Sequence, residues 1–430
     1  MRVLHVENSY GEMGGSLVSL LQLSREMAEQ SRSLPPGRRI ESCFYFLYPN
    51  LLLDDYRAVG EVVLEREDYS AYGTPVAVPS TLLPILRRLP WSARKGLGEI
   101  LPLATRVAAQ IRRMKVDLVH ANCRLGSNEY AILGAILAGV PVIAHERLLY
   151  RVGSITRPFA AAADLVVAIS QAVADNLTAQ KVRVKRLEVV HNGINTEELA
   201  GFRKRPRPAG APLRIGMVGR ITRWKGQHVL VDAARRVTEA IPNVEFHLAG
   251  DAPPADGAYL ESLRETVKDL GLEERVIFHG NVKEIYEFMS GMDVMAHCSV
   301  DPEPLGRVIL EAMALGKPTV ATRGGAVEEI CTDGHDALVV DPGRPDLLAD
   351  ALLCLARQPR TAERLGAAAL QTVETRFSLP VAAARMRSLY DSVIAEEPAR
   401  RRPMIEAVTD FLASSPFSVS RRKEKARPRT

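Results

Sequence analysis

Two glutamates, Glu303 and Glu311, stand at the ends of a segment that could hold a phosphorylated ligand. The segment reads EPLGRVILEAMALGKPTVAT, in which Pro304 favours a helix start and Gly316 a helix end. We therefore predict a helix from Pro304 to Leu315, with Glu303 extended in front of it. Glu311 then lies roughly 12 Å further along the axis. That span suits the sugar and the ribose of a nucleoside diphosphate sugar, and the helix start attracts the phosphates between them.

A second cluster suits the same kind of ligand. The predicted strand Arg214–Val218 is followed by GRITRWKGQ, which places Gly219 and Arg220 at the strand end and Lys225 at the start of the next helix. Two cations on a glycine-containing turn suit a diphosphate, whose charge grows as it leaves.

The N-terminal half contributes candidates that also follow predicted strands. Gly14 and Gly15, in SYGEMGGS, allow a ligand to approach the backbone, although their spacing is not that of a dinucleotide fingerprint. His145 follows the predicted strand Val140–Ala144, a position typical of a cleft residue. The glycines could instead form only a tight turn, and the histidine could be a hydrogen-bonded structural residue.

The elements that must position these residues are predicted strands and helices, which alternate along the chain. This alternation predicts parallel sheets covered by helices on both faces. Between most of the strands lie stretches of helical period, among them Gly15–Glu29, Gln227–Ala240 and Arg307–Leu315. The predicted strands are Arg2–Glu7, Cys43–Leu47, Leu118–Ala121, Val140–Ala144, Leu165–Ile169, Leu187–Val190, Arg214–Val218, Glu245–Ala249, Arg275–Phe278, Val294–His297, Thr319–Ala321 and Ala337–Val340.

The alternation breaks once, in the proline-rich basic stretch FRKRPRPAGAP, which is typical of a linker. We predict an N-terminal domain over 1–200, a linker over 201–212, a C-terminal domain over 213–378, a crossover helix over 379–397 and a basic tail over 398–430 that is disordered at its end. A length of 430 residues agrees with two domains.

Bulk composition is that of a globular protein, with 47% hydrophobic and 25% charged residues. The five cysteines are scattered and form no C-x-x-C pair, which favours a reducing compartment. The start of the chain is not a secretory signal, and no apolar run has the length of a membrane span. We expect a soluble cytoplasmic protein, with peripheral binding to the inner face of the plasma membrane left open.

One internal segment carries an excess of positive charge. Residues 74–116 carry eight basic side chains and one acid, and also contain Trp91. An exposed helix pair and a docking surface for anionic lipid explain this composition about equally well. The net charge of +5 is small for the length, and we expect no nucleic-acid partner.

Taken together, the chain resembles the family-four retaining glycosyltransferases of GT-B fold. The matching text is GGSLVSLLQLSREM, PVIAHERL, VVHNGIN, GMVGRITRWKGQ, FHGNV and the Glu303–Glu311 motif, spread from Arg2 to about Tyr390. The resemblance implies two Rossmann-like α/β domains that face each other across a cleft, with a C-terminal helix crossing back to the N-terminal domain. It also implies a nucleotide diphosphate sugar donor and a hydroxyl acceptor of unknown identity, in polysaccharide or glycolipid biosynthesis.

Residue roles follow from the same resemblance. Glu303 would lie beside the transferring sugar and His145 would meet its 6-position, so these two are the candidate catalytic residues. The candidate donor-binding residues are Arg220 and Lys225 for the diphosphate, Glu311 for the ribose, and Gly219, Leu305, Gly306, Gly14 and Gly15 around them. No D-x-D motif and no histidines at ligand spacing occur, so we expect neither a metal nor a cofactor.

Two other functions fit the same architecture. A sugar-nucleotide epimerase would need several acids and bases in the cleft for proton transfer, where this chain offers the Glu303–Glu311 motif. The other is a module that binds a sugar nucleotide or a membrane without turnover, against which the intact Glu303, Glu311, Arg220 and Lys225 argue.

Overall fold

Two parallel sheets organise the chain, one in each half. The computed structural model describes residues 1–8, 15–67, 91–203 and 210–396. The first sheet has the strand order β3-β2-β1-β4-β5-β6-β7 and the second the order β10-β9-β8-β11-β12-β13. In both sheets the order reverses beside the first strand, between β1 and β4 and between β8 and β11. Ligands of such sheets bind outside the carboxyl ends of the strands at this reversal.

The strands are short and mostly buried, as expected where helices cover both faces of a parallel sheet. Their bounds are β1 Arg2–Glu7, β2 Glu41–Phe46, β3 Glu61–Leu64, β4 Leu118–Ala121, β5 Val142–Glu146, β6 Leu165–Ala168, β7 Leu187–Val189, β8 Leu213–Val218, β9 Val244–Ala249, β10 Val276–Gly280, β11 Val294–His297, β12 Thr319–Thr322 and β13 Leu338–Val340.

Helices connect the strands. A π-helical turn, Gly96–Ile100, joins α3 to α4, and 3₁₀ turns occur at Pro36–Arg38, Leu125–Ser127, Arg223–Lys225 and Pro254–Asp256. The α-helices are α1 Gly15–Ser31, α2 Leu53–Arg57, α3 Trp91–Lys95, α4 Leu101–Met114, α5 Glu129–Ala138, α6 Thr156–Ala162, α7 Gln171–Ala179, α8 Thr196–Ala200, α9 Gln227–Ala240, α10 Gly257–Asp269, α11 Ile285–Ser290, α12 Arg307–Ala314, α13 Val327–Ile330, α14 Pro345–Arg357, α15 Pro359–Arg376 and α16 Leu379–Ala395.

The last described helix, α16, packs on the first sheet rather than on the second. Its side chains Met386, Leu389 and Tyr390 join a buried cluster with Val3 of β1 and Leu118 of β4. Two parallel-sheet α/β domains and a C-terminal helix that returns to the first of them confirm the predicted fold class. The predicted domain boundaries stay predictions, since the linker is described only outside 204–209 and the tail 398–430 lies outside the described residues.

The helix predicted to begin at Pro304 begins instead at Arg307. Gly306 precedes it with φ +86°, a left-handed conformation, and Glu303 pairs in a parallel bridge with Gly325. The preference of proline for a first helical turn is therefore overridden by the pairing of the chain just before it. The edge strand β3 was not predicted, because it is only four residues long and begins with a charged residue.

In the described part of the chain, no helix combines the length and the apolar character that crossing a bilayer would need.

Candidate active site

Glu303 lies at the centre of a buried polar cluster between the carboxyl ends of β8 and β11. Its Oε1 accepts hydrogen bonds from Lys225 Nζ at 2.5 Å and Ser299 Oγ at 2.6 Å, and His297 Nε2 lies 2.9 Å away. Only 4% of Glu303 is exposed. The structure therefore brings together two of the predicted residues, Glu303 and Lys225, which are 78 positions apart.

The charge of Glu303 is set by these neighbours. Burial raises the pKa of a carboxyl group, but the hydrogen bonds and positive charges of His297 and Lys225 outweigh it and lower the pKa of Glu303 to about 2. The side chain is therefore an anion at neutral pH. Its second oxygen, Oε2, accepts no hydrogen bond from the described residues and is available to a ligand hydroxyl.

The backbone position of Glu303 depends on the loop that follows β12. Ala326 N–H donates to the Glu303 carbonyl at 2.9 Å, and Gly325 adopts φ +65° directly against it. A Cβ on Gly325 would lie 2.1 Å from that carbonyl oxygen, closer than any real contact. A glycine is required here both by backbone conformation and by space.

Arg220 is an exposed residue of the turn after β8, the turn that also carries Lys225. It follows Gly219, the residue after β8, and lines an open pocket of about 610 Å³ together with Arg223, Trp224 and Asp301. Lys225 Nζ lies 4.1 Å from the centre of the Trp224 ring, a cation–π contact that helps to orient it. Arg220 makes no ion pair with the described residues, so its charge can meet an anionic ligand.

Glu311 has a different partner. Its Oε1 accepts from Arg307 Nε at 2.8 Å, one helical turn earlier on α12. Arg307 also donates to Ser19 Oγ at 2.9 Å and to Gln22 Oε1 at 3.0 Å, both on α1 of the first domain. Burial raises the pKa of Glu311, and the charge of Arg307 only partly opposes this. Glu311 therefore lies where α12 meets the first domain, and its ribose role stays a prediction.

The two residues between the glutamates contribute differently. The side chain of Leu305 is buried in an apolar cluster, which leaves only its backbone groups for a ligand. Gly306 precedes α12 and supplies the left-handed residue from which that helix starts. Both stay predicted donor-binding residues.

His145 is enclosed within the first domain. It is 2% exposed, and its Nδ1 lies 3.2 Å from His120 Nε2 and 3.4 Å from an Arg147 nitrogen. Burial, then the positive charge of Arg147, lowers the pKa of His145 well below its usual range. Its Nε2 has no hydrogen-bond partner among the described residues. Its catalytic role stays a prediction.

Of the two predicted glycines in the first domain, only one is described. Gly15 is exposed and begins α1, with open space around the position of a Cβ. Gly14 lies outside the described residues. The predicted approach of a ligand to these glycines stays a prediction.

Sequence reasoning missed four residues that the site depends on: His297, Ser299, Arg307 and Gly325. A usable signal existed for His297, because it ends a correctly predicted strand beside the reversal point of the second sheet. His145 was predicted to follow its strand but lies inside β5, which is one strand away from the reversal point of the first sheet. Ser299 and Gly325 could not be found, since their contacts depend on how two loops meet.

A carboxylate outside the motif also joins the two domains. Glu329 of α13 accepts the N–H groups of Gln171 and Ala172, each at 2.7 Å, at the start of α7. It also lies 3.0 Å from His191 Nε2. No motif or spacing in the sequence predicted a role for it.

Comparison with known proteins finds a family model for each half of the chain. The family model described as "Glycosyl transferases group 1" matches residues 202–372, and the one described as "Glycosyltransferase Family 4" matches residues 62–198. An alpha-maltose-1-phosphate synthase of Mycolicibacterium smegmatis is 30% identical over 269 residues, which cover 57% of this chain and 68% of that protein. The chain belongs to the group 1 glycosyltransferases.

Other relatives of this group 1 glycosyltransferase match over a shorter length. LpsD of Rhizobium meliloti, a lipopolysaccharide core biosynthesis glycosyltransferase, is 35% identical over 189 residues, which cover 44% of this chain and 52% of that protein. The chain thus spans about half the length of the first curated relatives it matches.

The fold of this group 1 glycosyltransferase is shared with solved structures. HepE of Anabaena, crystallised in complex with UDP, superposes with a TM-score of 0.73 at 23% identity, over 91% of this chain and all of that one. HepE has also been crystallised with UDP-glucose. This likeness confirms the GT-B architecture of the chain.

Proposed function

We propose that this chain transfers a hexose from a nucleotide diphosphate sugar to a hydroxyl acceptor and retains the anomeric configuration. The observation that carries the proposal is the buried anion Glu303, held by Lys225 at the strand reversal of the second sheet. An anion there suits a sugar ring that gains positive charge as its bond to the diphosphate breaks. The solved relative HepE was crystallised in complex with UDP-glucose, which supports a donor of this class.

Each residue then has a defined part in the reaction. Arg220 and Lys225 neutralise the diphosphate as its charge grows. Glu303, through its open Oε2, accepts a hydrogen bond from a sugar hydroxyl and stabilises the cationic ring. With a pKa of about 2 before any ligand binds, Glu303 is a poor proton acceptor. In this proposal the proton of the acceptor hydroxyl therefore passes to the departing donor phosphate, on the face where the new bond forms.

Two substitutions test the assignment. Glu303→Gln keeps the size of the side chain but removes its charge, and we expect transfer to fall at least about a hundredfold. Glu311→Ala is expected to raise the donor KM more than it lowers kcat, because a ribose contact is made before and during the reaction. Steady-state kinetics with a panel of UDP-, GDP- and ADP-sugars measures both.

Glu328→Gln is the matched control, since Glu328 pairs with Arg323 on the surface of the same domain. Wild-type turnover in both Glu303→Gln and Glu311→Ala would refute the proposed site. Retention is read from the anomeric coupling constant of the first product, and an inverted product would refute the proposed stereochemistry.

The relatives suggest a lipid-linked or polysaccharide acceptor, because LpsD acts in lipopolysaccharide core biosynthesis. The basic segment 74–116 bears on this only from Trp91 onward, since 74–90 lie outside the described residues. Trp91 is 62% exposed, yet Lys95, Arg106 and Arg113 each pair with a glutamate, which reduces the free positive charge. Peripheral binding to an anionic membrane would therefore depend on Trp91 more than on these cations.

Liposome flotation tests this part of the proposal. We expect the wild type to float with vesicles that contain anionic lipid, and Trp91→Ala to float less. Leu148→Ala, a change at another exposed apolar residue, is the control. Equal flotation of Trp91→Ala and wild type would refute a role for this segment.

A further inference from the structure

A continuous row of hydrogen-bonded rings runs from the C-terminal helix to His145. Tyr390 Oη on α16 lies 2.7 Å from His120 Nδ1 on β4, and His120 Nε2 lies 3.2 Å from His145 Nδ1 on β5. Tyr390 and His120 are fully buried, and His145 is nearly so. The row forms only because α16 crosses back onto the first sheet and brings Tyr390 to His120, 270 residues earlier in the chain.

The direction of these hydrogen bonds follows from a fourth residue. Arg147 donates to Asn122 Oδ1 at 2.8 Å and to Asn192 Oδ1 at 2.6 Å, which fixes the plane of its guanidinium group. Its remaining nitrogen lies 3.4 Å from His145 Nδ1. Since a guanidinium group only donates, Nδ1 of His145 must be the acceptor. The hydrogen of the neutral ring is then on Nε2.

The acceptor role of His145 Nδ1 also sets the direction of the other hydrogen bonds in the row. His120 Nε2 must donate to the bare Nδ1 of His145, so the Nδ1 of His120 accepts and the hydroxyl of Tyr390 donates to it. Burial lowers the pKa of both histidines and raises that of Tyr390, which keeps all three groups neutral and the pattern intact. Every donor in the row is thereby satisfied except the last one, His145 Nε2.

We propose that Tyr390 and His120 are positioning residues that, together with the long contact from Arg147, hold His145 in its Nε2–H tautomer. His145 thereby presents a hydrogen-bond donor to an oxygen of the bound sugar nucleotide. The inference rests on the proposed function, because it assigns the partner of that donor to the substrate. A buried N–H without a partner is costly, and a substrate oxygen at the carboxyl end of β5 would satisfy it.

A double-mutant cycle tests whether Tyr390 acts through His145. Tyr390→Phe removes only the hydroxyl that begins the row, and we expect kcat to fall about 10- to 100-fold, the range seen when outer partners of metal-bound histidines are removed. In a His145→Ala background the same change should have almost no further effect. Equal losses in both backgrounds would overturn the proposal, since they would show a structural role independent of His145.

Two variants control for folding and for chemistry. Tyr56→Phe also removes a fully buried tyrosine hydroxyl, one that donates to the Leu17 carbonyl at 2.6 Å, and should leave kcat near the wild-type value. His120→Gln retains a donor near the position of Nε2 and should keep more activity than His120→Ala. If His120→Gln and His120→Ala were equally impaired, donation by His120 would be refuted.

Histidine-selective ¹⁵N NMR gives a readout that does not need turnover. Long-range ¹H–¹⁵N correlations distinguish the two neutral tautomers, and the His145 signals are identified by their loss in His145→Ala. We expect Nε2–H for His145 in the wild type and a second tautomer in Tyr390→Phe. An Nδ1–H wild-type ring, or an unchanged tautomer in Tyr390→Phe, would overturn the inference. A wild type that shows the expected tautomer but transfers no sugar would instead refute the proposed function alone.

Discussion

The pKa values of the two glutamates of one motif are shifted in opposite directions. Glu303 accepts from Lys225 and Ser299 and lies beside His297, and its pKa is low; Glu311 faces Arg307 from a deeply buried position, and its pKa is raised. The difference comes from how far the neighbouring donors and charges offset the burial of each carboxyl group. An anion with a free oxygen suits the reacting sugar, whereas a ribose bound at Glu311, as predicted, would share that carboxylate with Arg307.

The low pKa of Glu303 makes a prediction about stability. Because folding lowers the pKa from 4.5 to about 2, the ionised side chain stabilises the folded state above pH 4.5, and this contribution is lost as the pH falls towards 2. We expect Glu303→Gln to lower the urea midpoint at pH 7, and the gap to the wild type to narrow between pH 4.5 and pH 3. Denaturation series at several pH values measure the gap. A gap that stays constant over this range would contradict the prediction.

At the scale of elements, the site is built from loops that meet at the carboxyl ends of strands. The loop after β12 presses Gly325 against Glu303, and the turn after β8 carries Arg220 and Lys225. Glu303 contacts the first loop through its backbone carbonyl and the second through Lys225, so its geometry depends on how the two loops fit together. Backbone changes in these loops should therefore affect activity more than stability.

Gly325→Ala tests this dependence. The change forces a Cβ into the Glu303 backbone, whereas Gly334→Ala places a Cβ at a similar φ, +70°, with nothing within 4 Å. We expect Gly334→Ala to cost about 1 kcal/mol of unfolding free energy from backbone strain alone. Gly325→Ala should cost more and also reduce transfer at least about tenfold through displacement of Glu303. Urea denaturation and donor kinetics of both variants are compared, and equal kcat values would contradict the role given to this loop.

The elements also show what could be predicted from sequence. Leu118–Ala121 and Val294–His297 were predicted at their observed bounds, since buried parallel strands are continuous apolar runs. The predicted start of α12 was wrong because the bridge between Glu303 and Gly325 keeps the chain extended before the helix. That bridge depends on tertiary structure. The row from Tyr390 to His145 was likewise beyond prediction: it exists only once a distant helix packs on the first sheet.

At the scale of the whole molecule, Arg307 and Glu329 each make polar contacts from the second domain to the first. Arg307 of α12 reaches α1, and Glu329 of α13 reaches the start of α7. Ser170 accepts the N–H of Val173 on α7, and Glu329 accepts the two N–H groups before it. A carboxylate from one domain thus completes the cap of a helix in the other, where the helix dipole also favours a negative charge.

Glu329→Ala should therefore weaken the contact between the two domains without disturbing the core of either one. The neighbouring Glu328→Ala is the matched control, because Glu328 pairs with Arg323 within its own domain. A lost helix cap costs about 1 kcal/mol, so we expect a small fall in the urea midpoint for Glu329→Ala and a larger radius of gyration in X-ray scattering. The hydrogen bonds to His191 and the α7 backbone outweigh burial and lower the pKa of Glu329, so its contribution should be present above pH 4.5 and lost below it. If both variants scatter as the wild type does, Glu329 does not hold the domains together, and Arg307 becomes the contact to test.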